Sequence, residues 1–100
     1  MEKLILIDYQ EKYADKVNEI EEGQWGRWCT GDIRDEISAH THIKLAQVND
    51  EIVGVGYGKR IGDAFYIQVI VIIPKYQHQH IGSVFMDYFI SYARNMKLAN

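Results

Sequence analysis

The stretch IIPKYQHQHIGSVFM, Ile72–Met86, opens as the end of an apolar strand and closes as the start of an amphipathic helix. Pro74, Gln77, His78, Gln79, His80 and Gly82 lie between the two. Upstream, AFYIQVIVII (64–73) is almost continuously apolar and rich in β-branched residues. That pattern predicts a central strand buried on both faces, which Pro74 ends. Downstream, Ile81, Val84, Phe85, Tyr88, Phe89 and Tyr92 fall on one helical stripe, with Asp87, Ser91, Arg94 and Asn95 off it. The first amides of a helix have no partner within it, and the helix dipole adds partial positive charge there. A loop folding into that end can aim the N–H groups of Gln79, His80, Ile81, Gly82 and Ser83 at an anion. Gly82, having no Cβ, lets a diphosphate approach the backbone, and Ser83 offers a hydroxyl. The same residues also read as a plain strand–helix connection in which Gly82 serves packing. Taken alone, they leave both readings open.

The rest of the chain surrounds this junction with short elements. KLILI (3–7) reads as a strand. Tyr9, Tyr13, Val17 and Ile20 then recur at helical spacing, with Asp8 as N-cap and Gly23 as stop. The acidic run EIEEG (19–23) reads as a solvated helix end. Trp25, Trp28 and Cys29 lie in a loop-like segment, where core packing of the tryptophans is favoured over stacking on a substrate. Thr30 or Asp32 caps a short helix through Ile33 and Ile37. THIKLAQV and EIVGVGYGKR flank Asn49-Asp50 as a hairpin, and Ile61–Asp63 form the next turn. Gly54, Gly56 and Gly58 alternate inside a strand rather than opening a helix, which excludes a dinucleotide-binding loop. A bare glycine face instead lets a helix come close. The predicted order is β-α-α-β-β-β-α.

One hundred residues make one domain, 1–100. With 47% hydrophobic and 12% aromatic residues the chain is globular, and a net charge of -3 with scattered cations argues against nucleic acid. The single cysteine, Cys29, excludes an internal disulfide or a Cys-rich zinc site. No run approaches the ~20 apolar residues of a membrane span. A soluble, cytoplasmic protein with no membrane partner is the expectation. The histidines form two His-x-His pairs, His40/His42 and His78/His80. Each pair can share a face on extended chain, so a His-rich metal-binding domain is one reading. No acid or cysteine joins the pairs at ligand spacing, and no metal is expected.

The junction as a whole, VIIPKYQHQHIGSVFM, resembles motif A of the GNAT superfamily of N-acyltransferases. That motif runs from an apolar strand through Val/Ile-x-Pro-x-Tyr and Gln/Arg-x-x-Gly-x-Gly/Ala into an apolar helix. Ile72, Pro74, Tyr76, Gln77 and Gly82 match in register, and the upstream element order matches as well. The implied fold is α/β (α+β): a GNAT-like, mostly antiparallel sheet of about four strands with three helices. The resemblance implies acetyl-CoA as cosubstrate. The turn Gln77, His78, Gln79, His80, Ile81, Gly82 and Ser83 would hold its pyrophosphate, and the backbone of Ile70 and Ile72 its pantetheine arm. Two departures stand out. His80 occupies the place of the motif's first glycine, where a protonated imidazole could also help neutralise phosphate. The strand and helix that follow motif A in the family have no counterpart before Asn100.

Acyl transfer to an amine needs a neutral nucleophile, a polarised carbonyl and a protonated leaving thiolate. The 64–73 strand offers only Gln68 and Tyr66 as polar groups. Gln68 can orient a water or the acceptor, and Asp63 is the nearest carboxylate, though it also suits a turn. The leading expectation is an acetyl-CoA-dependent N-acetyltransferase acting on a small-molecule or peptide amine. The alternative is a shortened, non-catalytic CoA-binding or dimerising relative. Without the family's next strand, 64–73 becomes a hydrophobic sheet edge, and such edges seek partners. A homodimer through that strand, or by segment exchange, is expected.

Overall fold

The computed structural model describes residues 3–26 and 31–97. Its elements are β1 (Leu4–Asp8), α1 (Ala14–Trp25), α2 (Ile33–Glu36), β2 (Thr41–Val48), β3 (Glu51–Ile61), β4 (Ala64–Ile72) and α3 (Ile81–Asn95). Short 3-10 turns stand at Glu11–Tyr13 and Pro74–Tyr76. The element order is the one predicted. The strands pair in chain order, β1-β2-β3-β4, each antiparallel to the next. This α/β arrangement is the fold expected from the sequence. Among the described residues no helix is long and apolar enough to cross a membrane.

The two hairpins that build the sheet follow from local chemistry. Asn49 and Asp50 both adopt positive φ, 50° and 67°. A two-residue turn of that hand matches the twist of its strands, and Asn and Asp tolerate it better than most residues. Gly62, at φ 63°, leads the second turn into Asp63.

Side chains on the two faces of the sheet enter two separate cores. On one face Leu45, Ile52, Val55, Tyr57 and Val71 pack against Ala14, Val17 and Ile20 of α1 and Ile33 of α2. On the other, Ala46, Val48, Val53 and Phe65 pack against Ile81, Phe85, Phe89 and Ala93 of α3, with Tyr76 closing the same cluster. The glycines of β3 set the depth of this second contact. A Cβ on Gly56 would stand 2.7 Å from Phe85 and 3.0 Å from Phe89, and one on Gly54 2.7 Å from Ile72. The bare strip therefore seats the aromatic face of α3, as the alternating glycines implied. Phe85 and Phe89 are fully buried there, each worth roughly 1.5–3 kcal/mol relative to an exposed ring.

Several boundaries and burials differ from the sequence reading. β1 runs through Asp8, which does not cap α1. Its carboxylate instead pairs with Lys44 Nζ at 2.6 Å, which lowers its pKa. Helix α1 continues past Gly23 to Trp25 and stops at Gly26, whose φ of 84° suits glycine. Trp25 is largely exposed rather than core, and Trp28, Cys29 and Thr30 lie outside the described residues. Asp32 does cap α2, accepting from the Arg34 N–H at 3.0 Å. Val84 faces out of α3, while Ala93 takes a buried place on its stripe. β4 is not central. It is the outer strand, and its Tyr66, Ile67 and Gln68 are exposed. β3 is the deeply buried strand, from Ile52 to Gly58.

Candidate functional site

The chain leaves β4 at Ile72 and reaches α3 through a turn whose first half bonds to itself and whose second half does not. Pro74 begins the 3-10 turn at the position where a missing N–H costs nothing. Tyr76 is buried in the α3 core and anchors the turn from below. The Gln77 N–H donates to the Pro74 carbonyl at 3.2 Å, and its side-chain amide donates to the Ile72 carbonyl at 3.0 Å. Gln77 thus braces the turn against the end of β4. Gln79 makes a weaker reach, 3.5 Å, to the Lys75 carbonyl.

From there the backbone opens. Among the described residues, the N–H groups of His78, Gln79, His80, Ile81, Gly82 and Ser83 donate to no protein acceptor. The first amide satisfied in α3 is that of Val84, on the His80 carbonyl at 3.2 Å. His78 and His80 both adopt the left-handed conformation, at φ 64° and 65°. His80 is the N-cap residue of α3 and places no side-chain bond on the helix. His78 and His80 are both exposed residues. A Cβ on Gly82 would meet nothing within 4 Å. Packing therefore does not require glycine at this position. A run of unpaired amides, a helix N-terminus and an open approach over Gly82 together fit a diphosphate.

The outer edge of β4 continues the same surface. The Ile73 N–H donates inward to the Val53 carbonyl at 2.9 Å. Successive amides along a strand point to opposite edges, so those of Ile70 and Ile72 face the open side. Gln68 stands further along as a bulge: Gly58 pairs with Ile67 and Tyr57 with Val69, leaving Gln68 the extra residue. A bulge locally turns the strand and re-aims the groups beside it. Asp63 lies in the hairpin at the opposite end of β4, away from the turn, as a turn residue. A surface depression lined by His40, Lys59, Arg60, Ile61 and Gly62 also lies at that far end.

The paired histidines do not converge on a metal. His42 stacks on Tyr92 with ring centroids 3.9 Å apart and shares a 2.6 Å hydrogen bond with the Tyr88 hydroxyl. Burial there, and nearby Lys44, lower its pKa. Among the described residues no group of three or more His, Cys, Asp or Glu gathers as for a metal ion.

One polar residue that the sequence reading passed over is Glu21. The acidic run around it reads as a solvated helix end, yet Glu21 is only 4% exposed, under β3 and beside Tyr57. Burial pushes its carboxyl pKa up, and the neighbouring Tyr57 hydroxyl pulls it partly back. The signal was present in the spacing: Ala14, Val17 and Glu21 fall at i, i+3 and i+7, on one helical face.

The chain matches the family described as "Acetyltransferase (GNAT) family" over residues 3–100. Solved structures with the same fold include a GNAT-family acetyltransferase from Staphylococcus aureus Mu50, at TM-score 0.79 and 18% identity. That likeness covers 96% of this chain and 70% of the other. PaiA N-acetyltransferase from Thermoplasma acidophilum, in complex with coenzyme A, matches at TM-score 0.79 and 11% identity, over 96% and 75%. An aminoglycoside 6′-N-acetyltransferase complexed with coenzyme A matches at 0.81 and 14%, over 93% and 57%. No curated protein sequence matches significantly.

Proposed function

We propose, since this chain belongs to the GNAT acetyltransferase family, that it binds acetyl-CoA and transfers the acetyl group to an amine. The observation that carries this reading is the row of unpaired amides from His78 to Ser83 beneath an unobstructed Gly82. The amides from Gln79 to Ser83 hold the pyrophosphate, and Gln77 keeps the turn in shape through the Ile72 carbonyl. The outward-facing groups of Ile70 and Ile72 receive the pantetheine arm as a neighbouring strand would. His78 and His80, exposed in the same turn, offer ring N–H donors to the phosphates. Acetyl-CoA supplies the activated thioester. Gln68, on the bulge, orients the acceptor or a water next to it. The coenzyme A complexes of the PaiA and aminoglycoside acetyltransferases support the choice of cosubstrate, and the latter a small-molecule amine acceptor.

Isothermal titration with acetyl-CoA, followed by thiol release in the presence of an amine panel, tests this. Micromolar binding with amine-dependent thiol release is the expected result; absence of binding refutes it. A second reading rests on a specific observation. No charged side chain occurs on β4 from Ala64 to Ile72, so a CoA-binding relative without transferase activity would show binding and no thiol release.

Leaving Ile70 and Ile72 to the cofactor, we further propose a cytoplasmic homodimer formed along β4 ahead of the Gln68 bulge, from Ala64 to Ile67. Its outer edge has no strand partner among the described residues, and Tyr66 and Ile67 lie exposed upon it. Such an edge templates pairing with a second copy. Light scattering at micromolar concentration should give twice the mass of the chain; a monomer there refutes this part.

A further inference from the structure

The acyl-transfer reading leaves open which group takes the proton from the amine, and β4 supplies no base. The carboxylate of Glu21 has the attributes that the role requires. It is 4% exposed, and its Oε1 is buried without a hydrogen-bond partner among the described residues. Leaving a buried carboxylate oxygen unpaired costs several kcal/mol unless a donor arrives. Its position is also apt. Glu21 is the last buried residue of α1, and Gly23–Gly26 after it are exposed, so it stands at the end of the α1–sheet interface. Its neighbour Tyr57 sits on β3 opposite Val69, immediately beside the Gln68 bulge of β4. The polar pair is therefore one strand in from the open edge, at the level where that edge is re-aimed.

Resting on the acyl-transfer reading above, we infer that Glu21 Oε1 is the proton acceptor for the acceptor amine, with Tyr57 as its positioning residue. The ammonium gives one proton to the Glu21 carboxylate. The freed lone pair on nitrogen bonds to the thioester carbonyl carbon. The carbon–sulfur bond breaks, sulfur leaves with the electron pair, and the second proton lost from nitrogen ends on that thiolate. Charge and hydrogen balance: a carboxylate and an ammonium become a carboxylic acid, an amide and a thiol. The groups that act on Glu21 are Tyr57 from β3 and Glu36 from α2. Burial and Glu36 raise its affinity for a proton, and Tyr57 lowers it, which suits a base working above the ordinary glutamate range.

Glu21→Gln keeps the shape and removes the base. The assay is acetyl transfer from acetyl-CoA to neamine, spermidine and an alanine-terminated peptide, read across pH, beside titration of acetyl-CoA binding. The expected result is unchanged binding, a fall in kcat/KM of about 100-fold or more, and loss of the acid limb of the pH profile. Tyr57→Phe removes the hydroxyl that favours the charged carboxylate. It should move that limb to higher pH while the alkaline plateau remains, a change that a purely structural role would not produce. Three outcomes overturn the assignment: Glu21→Gln with an unaltered profile and normal binding, a Tyr57→Phe limb that does not move, or a wild-type chain that binds acetyl-CoA but acetylates none of the three amines. Failure of the wild type to bind acetyl-CoA overturns the cofactor reading instead, and this inference with it.

Discussion

Replacing Gly82 with alanine separates the two roles that a glycine at a strand–helix junction can have. If Gly82 served packing, an added methyl group would meet neighbours and the fold would lose stability. The structure places nothing within 4 Å of that methyl, and Gly82 has an ordinary negative φ as the second residue of α3. Alanine is favoured over glycine by about 0.8–1.0 kcal/mol in a helix interior, and somewhat less in a first turn. Gly82→Ala should therefore stabilise the protein by roughly 0.5 kcal/mol, a rise in Tm of ~2–4 °C for a domain of this size. The same methyl stands where a diphosphate would meet the amides. Losing one charge-assisted hydrogen bond costs about 1.5–3 kcal/mol, or ~10- to 150-fold in Kd. Scanning calorimetry and isothermal titration with acetyl-CoA on the same preparation read both effects. A variant that melts higher and binds weaker supports the reasoning. Unchanged affinity, or a lower Tm, refutes it.

Other perturbations probe other parts of the argument. His80→Gly relieves a left-handed backbone that costs a non-glycine residue about 1–2 kcal/mol, offset by the greater chain entropy of glycine; chemical denaturation should show equal or higher stability. Gly56→Val drives a branched side chain into Phe85 and Phe89, and should destabilise by roughly 1–3 kcal/mol in the same assay. Burial depresses the pKa of His42, so stability tied to its neutral form is complete above the unfolded value and lost as pH falls toward the folded one. His42→Gln should flatten that part of a stability–pH curve. Glu21 has the opposite sign: its raised pKa makes its contribution fullest below the ordinary glutamate value and smaller as pH rises through the folded one. Glu21→Gln should thus gain stability relative to wild type at neutral pH.

The junction was legible because several independent constraints coincide within fifteen residues. Pro74 stops a strand, and the stripe Ile81, Phe85 and Phe89 starts a helix, so the turn between them could only lie at a helix N-terminus. The hairpin at Asn49-Asp50 was legible for the same reason, since those residues at positive φ permit little else. Where the reading failed, a tertiary partner outweighed a local preference. Asp8 resembles an N-cap, but Lys44 across the sheet holds it. Gly23 resembles a stop, yet α1 carries through to Gly26. The apolar run 64–73 reads as central because composition reports hydrophobicity and not which strand comes next. Glu21 is hidden in an acidic run whose other carboxylates, Glu19 and Glu22, are more exposed. Only the helical spacing from Ala14 and Val17 distinguishes it, and whether a carboxylate at such a place is tolerated depends on Tyr57, thirty-six positions away (57 minus 21).

The glycine strip of β3 has a mechanical consequence. Because Phe85 rests directly against Gly56, less than one helical turn beyond Gly82, the strip acts as a fulcrum for the head of α3. Adding bulk at Gly54 or Gly56 would tilt the helix and swing its leading amides out of alignment without touching them. Substitutions in the sheet interior should then appear as affinity variants, and a screen confined to the turn would overlook the strand that aims it.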